Sequence, residues 1–564
     1  MIDIFPKPRE LRLTGDHHKA DGEPHLETTN ALPREGYTLT ITPGEIHIKG
    51  DEAGLRYGKD TLRQIREYAS CNGTPLPCLE IRDEPGLRVR GFMLDISRCK
   101  VPTMGTLRGL VRLLARLRYN QLQLYTEHTF AFRDHEIVWR EASPLTAKEV
   151  QEIDQLCIEN GIELVPNFNS FGHFERWLRH EPYKHLAECP EGFEREEPRI
   201  VRDHGGTLRP DKKTLEFLEP LHDEFLANFT SRQFNVGLDE PWELGQGWSR
   251  PQVEARGKHA VYIEFLQKIH QLVDAKGRKM LFWSDILLER PDYVDRVPKD
   301  AIPVIWGYES DHPFPEQCRK VADSGLEYLV SPGTSTWNSF NGRLPNALDN
   351  IRSAIANAIE NDALGSLLTT WGDNGNHQPW ATMHPALFYH AGLTWNPSQT
   401  SYTPLPSILD RHLFQDASGQ LSRTLISLGN TDSVLERPLI NCSPTFHFLV
   451  GKKDKLAATL GNTEPRLLAR GQRFLNEIRT WLKSAKPSCA DAETLCKELE
   501  LSLDLGLLGL ERATHFQSTG VVPELQDERN CIAERHRKIW TERARPGGLS
   551  ESAGILEDPV GWTI

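Results

Sequence analysis

Apolar positions follow two rhythms along the chain, and the rhythm changes near residue 90. Before that point, Tyr37-Thr-Leu-Thr-Ile-Thr and Glu45-Ile-His-Ile-Lys alternate apolar and polar residues around Pro43-Gly44, which predicts two strands joined by a turn. Residues 54–69 then carry Leu55, Leu62 and Ile65 on one helical side. From Gly91 onward, short apolar runs without strict alternation exchange with longer stretches of helical spacing. Runs of that kind suit the strands of a parallel sheet covered on both faces. They fall at 91–97, 120–127, 162–169, 233–240, 279–286, 302–308, 326–334 and 365–373. Between them, 103–117 carries Leu107, Leu110, Leu114 and Leu117 at helical spacing, and 146–160, 261–275, 315–324 and 347–361 behave likewise. Pro291 and Pro298 argue against a helix after Ile286. Beyond residue 400 the pattern is helical, with amphipathic runs at 464–483, 491–514 and 526–543 and a break at Pro546-Gly547-Gly548.

This order predicts an α/β protein built on a (β/α)8 barrel. The barrel occupies 86–400, after a small α/β domain at 1–85 and before a helical domain at 401–564. Active sites of such barrels lie at the C-terminal ends of the strands. Here those ends bring Asp95 and Arg98, Glu127, Asn167, Asn169 and His173, Asp239 and Glu240, Trp283 and Asp285, Trp306 and Tyr308, Trp337, and Trp371 and Asp373. Flat apolar rings beside charged groups suit a sugar, whose C–H faces stack and whose hydroxyls hydrogen-bond. A single tryptophan reads equally well as a plug in the barrel mouth; Trp283, Trp306, Trp337 and Trp371 at four ends fit that reading poorly. The apolar run Gln233-Phe-Asn-Val-Gly-Leu-Asp-Glu240 ends in two adjacent carboxylates followed by Pro241 and Trp242. Asp-Glu pairs recur in this chain, so position rather than the dipeptide singles this one out.

Net charge at pH 7 is −13, which argues against nucleic acid or an anionic membrane as partner. Residues 1–10 show no basic region followed by an apolar core, so no signal peptide is expected, and no run approaches a membrane span. The ten cysteines form no Cys-x-x-Cys, so free thiols in a reducing cytoplasm are expected, with no metal. The sequons at Asn72, Asn228 and Asn441 then read as chance, and His17, His18 and His25 as a solvated segment. No phosphate loop, dinucleotide fingerprint, zinc-binding helix or serine nucleophile elbow is present, so no cofactor is expected.

Over about residues 35–400 the chain resembles glycoside hydrolase family 20, the β-N-acetylhexosaminidases, and most of all their hexosaminidase D branch. The motifs are Gly54-Leu-Arg-Tyr-Gly-Lys-Asp-Thr-Leu-Arg-Gln64 in the small domain, Arg90-Gly-Phe-Met-Leu-Asp-Ile-Ser-Arg98, Phe171-Gly-His173, Gly237-Leu-Asp-Glu240, and Trp283, Trp306 and Trp371. The resemblance implies Arg90 on the outer hydroxyls of the terminal sugar, Asp239 and Glu240 as the catalytic pair, and the tryptophans around the N-acetyl group. Glu127 stands where the family has an Asp after the second strand. The family's Tyr-x-Asp after the seventh strand is replaced by Ser335-Thr-Trp-Asn338, which makes Trp337 and Asn338 candidate substitutes. The implied activity is exo-hydrolysis of terminal β-linked N-acetylglucosamine or N-acetylgalactosamine, with retention. Adjacent carboxylates do not suit an acid and a nucleophile on opposite faces of the bond; they suit the substrate-assisted exception. In that scheme the 2-acetamido oxygen attacks, Glu240 is general acid and base, Asp239 steadies the oxazolinium-like intermediate, and His173 positions its neighbours. The alternatives are a catalytically retired sugar-binding protein on the same barrel and an acetamido-sugar glycosidase of another family.

Overall fold

The computed structural model describes residues 2–19, 22–195, 200–398, 401 and 404–558. The N-terminal part is a five-stranded sheet in the order Glu10–His17, Pro77–Asp83, Tyr37–Ile41, Ile46–Gly50 and His25–Thr28. Alternation in Tyr37–Ile41 and Ile46–Gly50 turns one face inward, where Leu39, Ile41 and Ile48 pack on Tyr57, Leu62 and Ile65 of the helix Glu52–Cys71. Asp51 caps that helix by accepting from the Gly54 N–H at 2.7 Å. The sequence pattern predicts two of the three inner strands, Tyr37–Ile41 and Ile46–Gly50, and misses Pro77–Asp83. The outer pair, Glu10–His17 and His25–Thr28, is exposed along its length and so carries no core-facing signature. His25 stacks on His47, and His18 Nδ1 bonds the Thr42 carbonyl; among the described residues no group of metal ligands occurs.

Eight parallel strands close the barrel: Val89–Asp95, Gln121–Thr126, Glu163–Phe168, Gln233–Asn235, Lys279–Trp283, Ile302–Trp306, Leu329–Ser331 and Gly365–Thr370. The last pairs with the first from Gly365↔Val89 to Thr370↔Leu94, and the ring is completed by Asn235↔Asn167. After the fifth strand the chain makes a short helix, Asp285–Glu289, and a 3-10 turn, Pro291–Arg296, where the prolines predict none. Pro291 stands at the first position of that turn, where a missing N–H costs nothing.

The inside of the barrel is divided. From the second to fourth strands Gln121, Gln123, Asn167 and Asn235 point inward; Gln123 Oε1 accepts from Asn167 at 2.9 Å and from Asn235 at 3.0 Å. From the fifth to eighth strands Leu281, Ile302, Val304, Leu329 and Leu367 form one apolar cluster that continues upward into Trp283, Tyr308, Trp337 and Trp371. A polar half and an aromatic half therefore face each other at the mouth.

The C-terminal part contains the long helices Pro465–Ser484, Ala492–Thr519 and Gln526–Arg543. After the break at Pro546–Gly548 a further helix, Leu549–Glu557, resumes and reaches the mouth. Its Glu551 takes two 2.8 Å hydrogen bonds from Arg176, and the Ser552 carbonyl bonds His377 Nε2 at 2.8 Å. The loops after the third and eighth strands are thereby tied to the helical domain.

Candidate active site

The fourth strand stops at Asn235, four residues before the acid pair, because the backbone leaves the extended region. Gly237, Leu238 and Glu240 have φ of 72°, 70° and 45°. The left-handed region costs a residue with a Cβ on the order of 1–2 kcal/mol. Tyr262 OH holds the turn by donating to the Leu238 carbonyl at 3.1 Å, and Glu240 N–H donates to Asp285 Oδ2 at 3.1 Å. At Gly237 any Cβ would stand 2.0 Å from Asn169 Oδ1, and at Gly172 2.5 Å from the Asp239 carbonyl. Glycine at both positions lets the third and fourth loops touch, which delivers His173 to the carboxylates.

His173, itself at φ 59°, places Nε2 3.3 Å from Asp239 Oδ2 and 3.5 Å from Glu240 Oε2. Both carboxyl groups thus gather around one ring nitrogen. Burial lowers the affinity of His173 for its proton, but the charge and hydrogen bond of Asp239 outweigh it and hold the pKa at about 10. His173 is then a cation, and the 3.4 Å approach of Arg98 Nη2 to its Nδ1 is a contact between two positive groups. Glu127 makes it tolerable, lying 3.1 Å from Arg98 and 4.0 Å from His173 Nδ1. Glu127 also accepts from Tyr125 OH at 2.9 Å, and Asn169 donates to that hydroxyl at 2.7 Å. Burial pushes the Glu240 carboxyl up to about 7; His173 opposes this, and the charges of Asp239 and Asp373 add to it. The two carboxyls share this cation, yet burial and its acidic neighbours leave Glu240 poised to carry a proton at neutral pH.

The opposite side is aromatic. Trp371 meets Tyr125 and Tyr308 edge-on at 4.8 and 6.4 Å and lies tilted to Trp283 at 6.1 Å, and the Arg98 guanidinium lies 5.1 Å from its ring centre. Trp306 stacks on Tyr308 at 5.2 Å and remains partly exposed. The indole N–H groups of Trp283, Trp306 and Trp371, together with Asp239 Oδ1, are buried with no hydrogen-bond partner. Buried polar atoms in native proteins are nearly always paired, so orphans gathered in one place mark where a polar ligand fits. The donor set holds no cluster suited to a metal among the described residues.

Two family models match the chain in succession: Glycosyl hydrolase family 20, domain 2, over residues 3–84, and Glycosyl hydrolase family 20, catalytic domain, over residues 88–343. Together they span more than half of it. The chain belongs to glycosyl hydrolase family 20. It is 28% identical over 316 residues to a beta-hexosaminidase of Akkermansia muciniphila, covering 50% of this chain and 62% of that protein. To hexosaminidase D of Bos taurus it is 27% identical over 241 residues, 40% of this chain and 66% of that protein. The match thus spans less than two thirds of the length of these curated relatives. Among solved structures, the chitobiase of Flavobacterium johnsoniae aligns with a TM-score of 0.59 at 16% identity, over 98% of this chain and 99% of that one. At that identity the likeness concerns the fold, and it includes the helical C-terminal part.

Within this family 20 chain the expected site residues do not all converge. Asp239, Glu240, Glu127, His173, Trp283, Trp306 and Trp371 share the mouth. Arg90 does not, and its assignment to the sugar is corrected. It is the second residue of its strand, at the opposite end of the barrel, and 1% exposed. Its guanidinium is used up by Glu35 at 2.5 Å, Tyr57 OH at 3.1 Å and the carbonyls of Arg118 and Leu87 at 2.7 and 2.9 Å. It fastens the barrel floor to the small domain. Arg98, three residues past the end of the same strand, is the arginine at the mouth. Trp337 stands edge-on to Tyr308 at 5.0 Å in the same cluster as Trp283 and Trp371, so Tyr308 joins the wall beside it. Asn338 is bound to the Asn441 carbonyl and to Asn374, a tie between loops rather than a ligand group. Arg98, Tyr308 and Asp373 all stand at strand ends in the sequence, and that placement was the signal for them. Tyr125 follows from the inward parity of Gln121 and Gln123.

Proposed function

We propose that the protein is a retaining exo-β-N-acetylhexosaminidase whose nucleophile is the substrate's own acetamido oxygen. The observation that carries this reading is the carboxyl pair around His173: Asp239 with a buried, unpartnered Oδ1, and Glu240 with its pKa raised to about 7. Asp239 Oδ1 accepts the acetamido N–H and turns the carbonyl oxygen toward the anomeric carbon. As that oxygen attacks, Glu240 gives its proton to the departing glycosidic oxygen, and then takes one from the water that opens the oxazolinium ring. Positive charge developing on the acetamido nitrogen is met by Asp239. The aromatic wall confines the acetamido group, so the attack gains from proximity. Arg98, Glu127 and Asp373 supply charged partners for the outer hydroxyls. The substrate is a terminal sugar of a glycan. All ten cysteines are unpaired, which supports placement in a reducing, cytoplasmic compartment.

The test is a pair of aryl glycosides. The protein should hydrolyse an aryl β-N-acetylglucosaminide or its galacto epimer, and leave the matching β-glucoside untouched. A protein that binds N-acetylglucosamine but turns over neither acetamido substrate would be the retired sugar-binding form of this barrel.

The raised pKa of Glu240 gives a pH prediction with a fixed sign. The acid works only while protonated, so kcat/KM on an alkyl glycoside should fall by about tenfold per pH unit above about pH 7. His173, held at about 10, keeps its proton through that range. A profile level across neutral and mildly alkaline pH would show that Glu240 is not the acid.

A further inference from the structure

Trp242 has no part in the steps above, yet it is placed beside the acid. It follows Glu240 by two residues, and its backbone N–H donates to the Glu240 carbonyl at 2.7 Å. Its ring meets His173 edge-on, at 6.3 Å and 68°, on the strand-three and strand-four side of the mouth, away from Trp283, Trp306 and Trp371. The guanidinium of Arg195, from the hairpin Phe193–Arg195 and Ile200–Arg202, lies over the indole at 4.4 Å, and the ring still remains partly exposed.

The loop that carries Trp242 is rigidly built. Glu243 accepts from the Gly206 and Thr207 N–H groups at 2.6 and 3.2 Å. Glu188, fully buried, accepts from Ser249 through both N–H and hydroxyl, at 3.0 and 2.6 Å, and from Gly245 and Gly247 at 3.2 Å. A cover for the core needs neither a cation over a partly exposed indole nor two buried carboxylates fixing its loop. A binding platform benefits from both, because a fixed ring loses no freedom when something stacks on it.

We infer that Trp242, backed by Arg195, is the platform for the leaving group, and that this leaving group is a second pyranose whose C–H face stacks on the indole. The inference rests on the hydrolase reading. A sugar seated against the aromatic wall has its glycosidic oxygen in reach of Glu240, and whatever departs with that oxygen lies on the far side of Glu240, where Trp242 stands. The substrates are then oligosaccharides rather than sugars on small alcohols.

The experiment compares kcat/KM for a β-1,4-linked N-acetylglucosamine disaccharide and for methyl β-N-acetylglucosaminide. Both leave as alkoxides that need the same proton, so their ratio isolates contacts with the second ring. The wild type should prefer the disaccharide, and Trp242→Ala should reduce that preference by about tenfold. Trp242→Phe should keep most of it, and Arg195→Gln, which leaves the indole in place, should lose a smaller share. If Trp242→Ala and Arg195→Gln both leave the ratio unchanged, or lower both substrates alike, Trp242 is only a prop for Glu240 and the platform is wrong. If the wild type cleaves neither compound, the hydrolase reading itself has failed.

Discussion

Glu240→Gln should lower kcat/KM on a substrate with an alkyl or sugar leaving group by about 10²–10⁴. Glutamine keeps the size of the side chain and its place beside His173, 3.5 Å away, but has no proton to give. The loss should shrink on a nitrophenyl glycoside, whose leaving group departs without protonation, and binding of the reaction product should change little. The alkaline limb near pH 7 should also disappear, because the group that produces it no longer titrates. The measurement is kcat/KM against leaving-group pKa for both proteins. Parallel lines, with one constant loss at every leaving group, would mean that Glu240 supports the fold of the site and that another group carries the proton.

Asp239→Asn should slow the first step by about 10²–10³, since the developing positive charge on nitrogen loses its carboxylate. The companion measurement varies the substrate. Fluorine on the acyl group withdraws electrons from the attacking oxygen, so rates should fall steadily from acetyl through mono-, di- and trifluoroacetyl. A stable thiazoline fused across carbons one and two imitates the cyclic intermediate and should bind far more tightly than product. In Asp239→Asn that advantage should be largely lost. The geometry behind this is the convergence of Asp239 Oδ2 and Glu240 Oε2 on a single nitrogen, at 3.3 and 3.5 Å. It leaves neither carboxylate on the opposite face of the bond. A flat acyl series, or a sugar trapped covalently on a carboxylate, would require a protein nucleophile instead.

The two halves of the mouth explain why these roles separate. Amide and carboxylate groups from the second to fourth strands rise to Tyr125, Glu127 and Asn169 beneath the charged pair, while hydrocarbon from the fifth to eighth strands rises to the tryptophans. Charge is thus concentrated where the glycosidic oxygen and acetamido nitrogen react. Low polarity is kept where the acyl group is confined, and it strengthens every electrostatic contact nearby.

Much of this could be read along the chain. The exchange of apolar runs with helical stretches is local information, since a strand buried on both faces needs hydrophobic side chains in succession. It located all eight barrel strands, and with them the loops that carry Asp239, Glu240, His173 and the tryptophans. The edge strands Glu10–His17 and His25–Thr28 escaped because exposed edges impose no pattern. Arg90 and Arg98 stand in one motif at opposite ends of the first strand; the strand-end rule points to Arg98, while the resemblance pointed to Arg90. The choice between them depends on where pairing begins. Val89 is in register with Gly365, which sends Arg90 to the floor and into Glu35 while Arg98 clears the last rung. In the same way Tyr308 joins the wall beside Trp337, because which rings from different loops meet is set by packing across the barrel. The left-handed turn at Gly237, Leu238 and Glu240 is likewise a tertiary outcome. Its unfavourable φ values persist only because Tyr262 and Asp285, from other elements, bond the turn in place. Residue types and their order along the strands were thus legible from the sequence. Which side chains face one another at the mouth was decided by register and by long-range hydrogen bonds, neither of which leaves a trace in local periodicity.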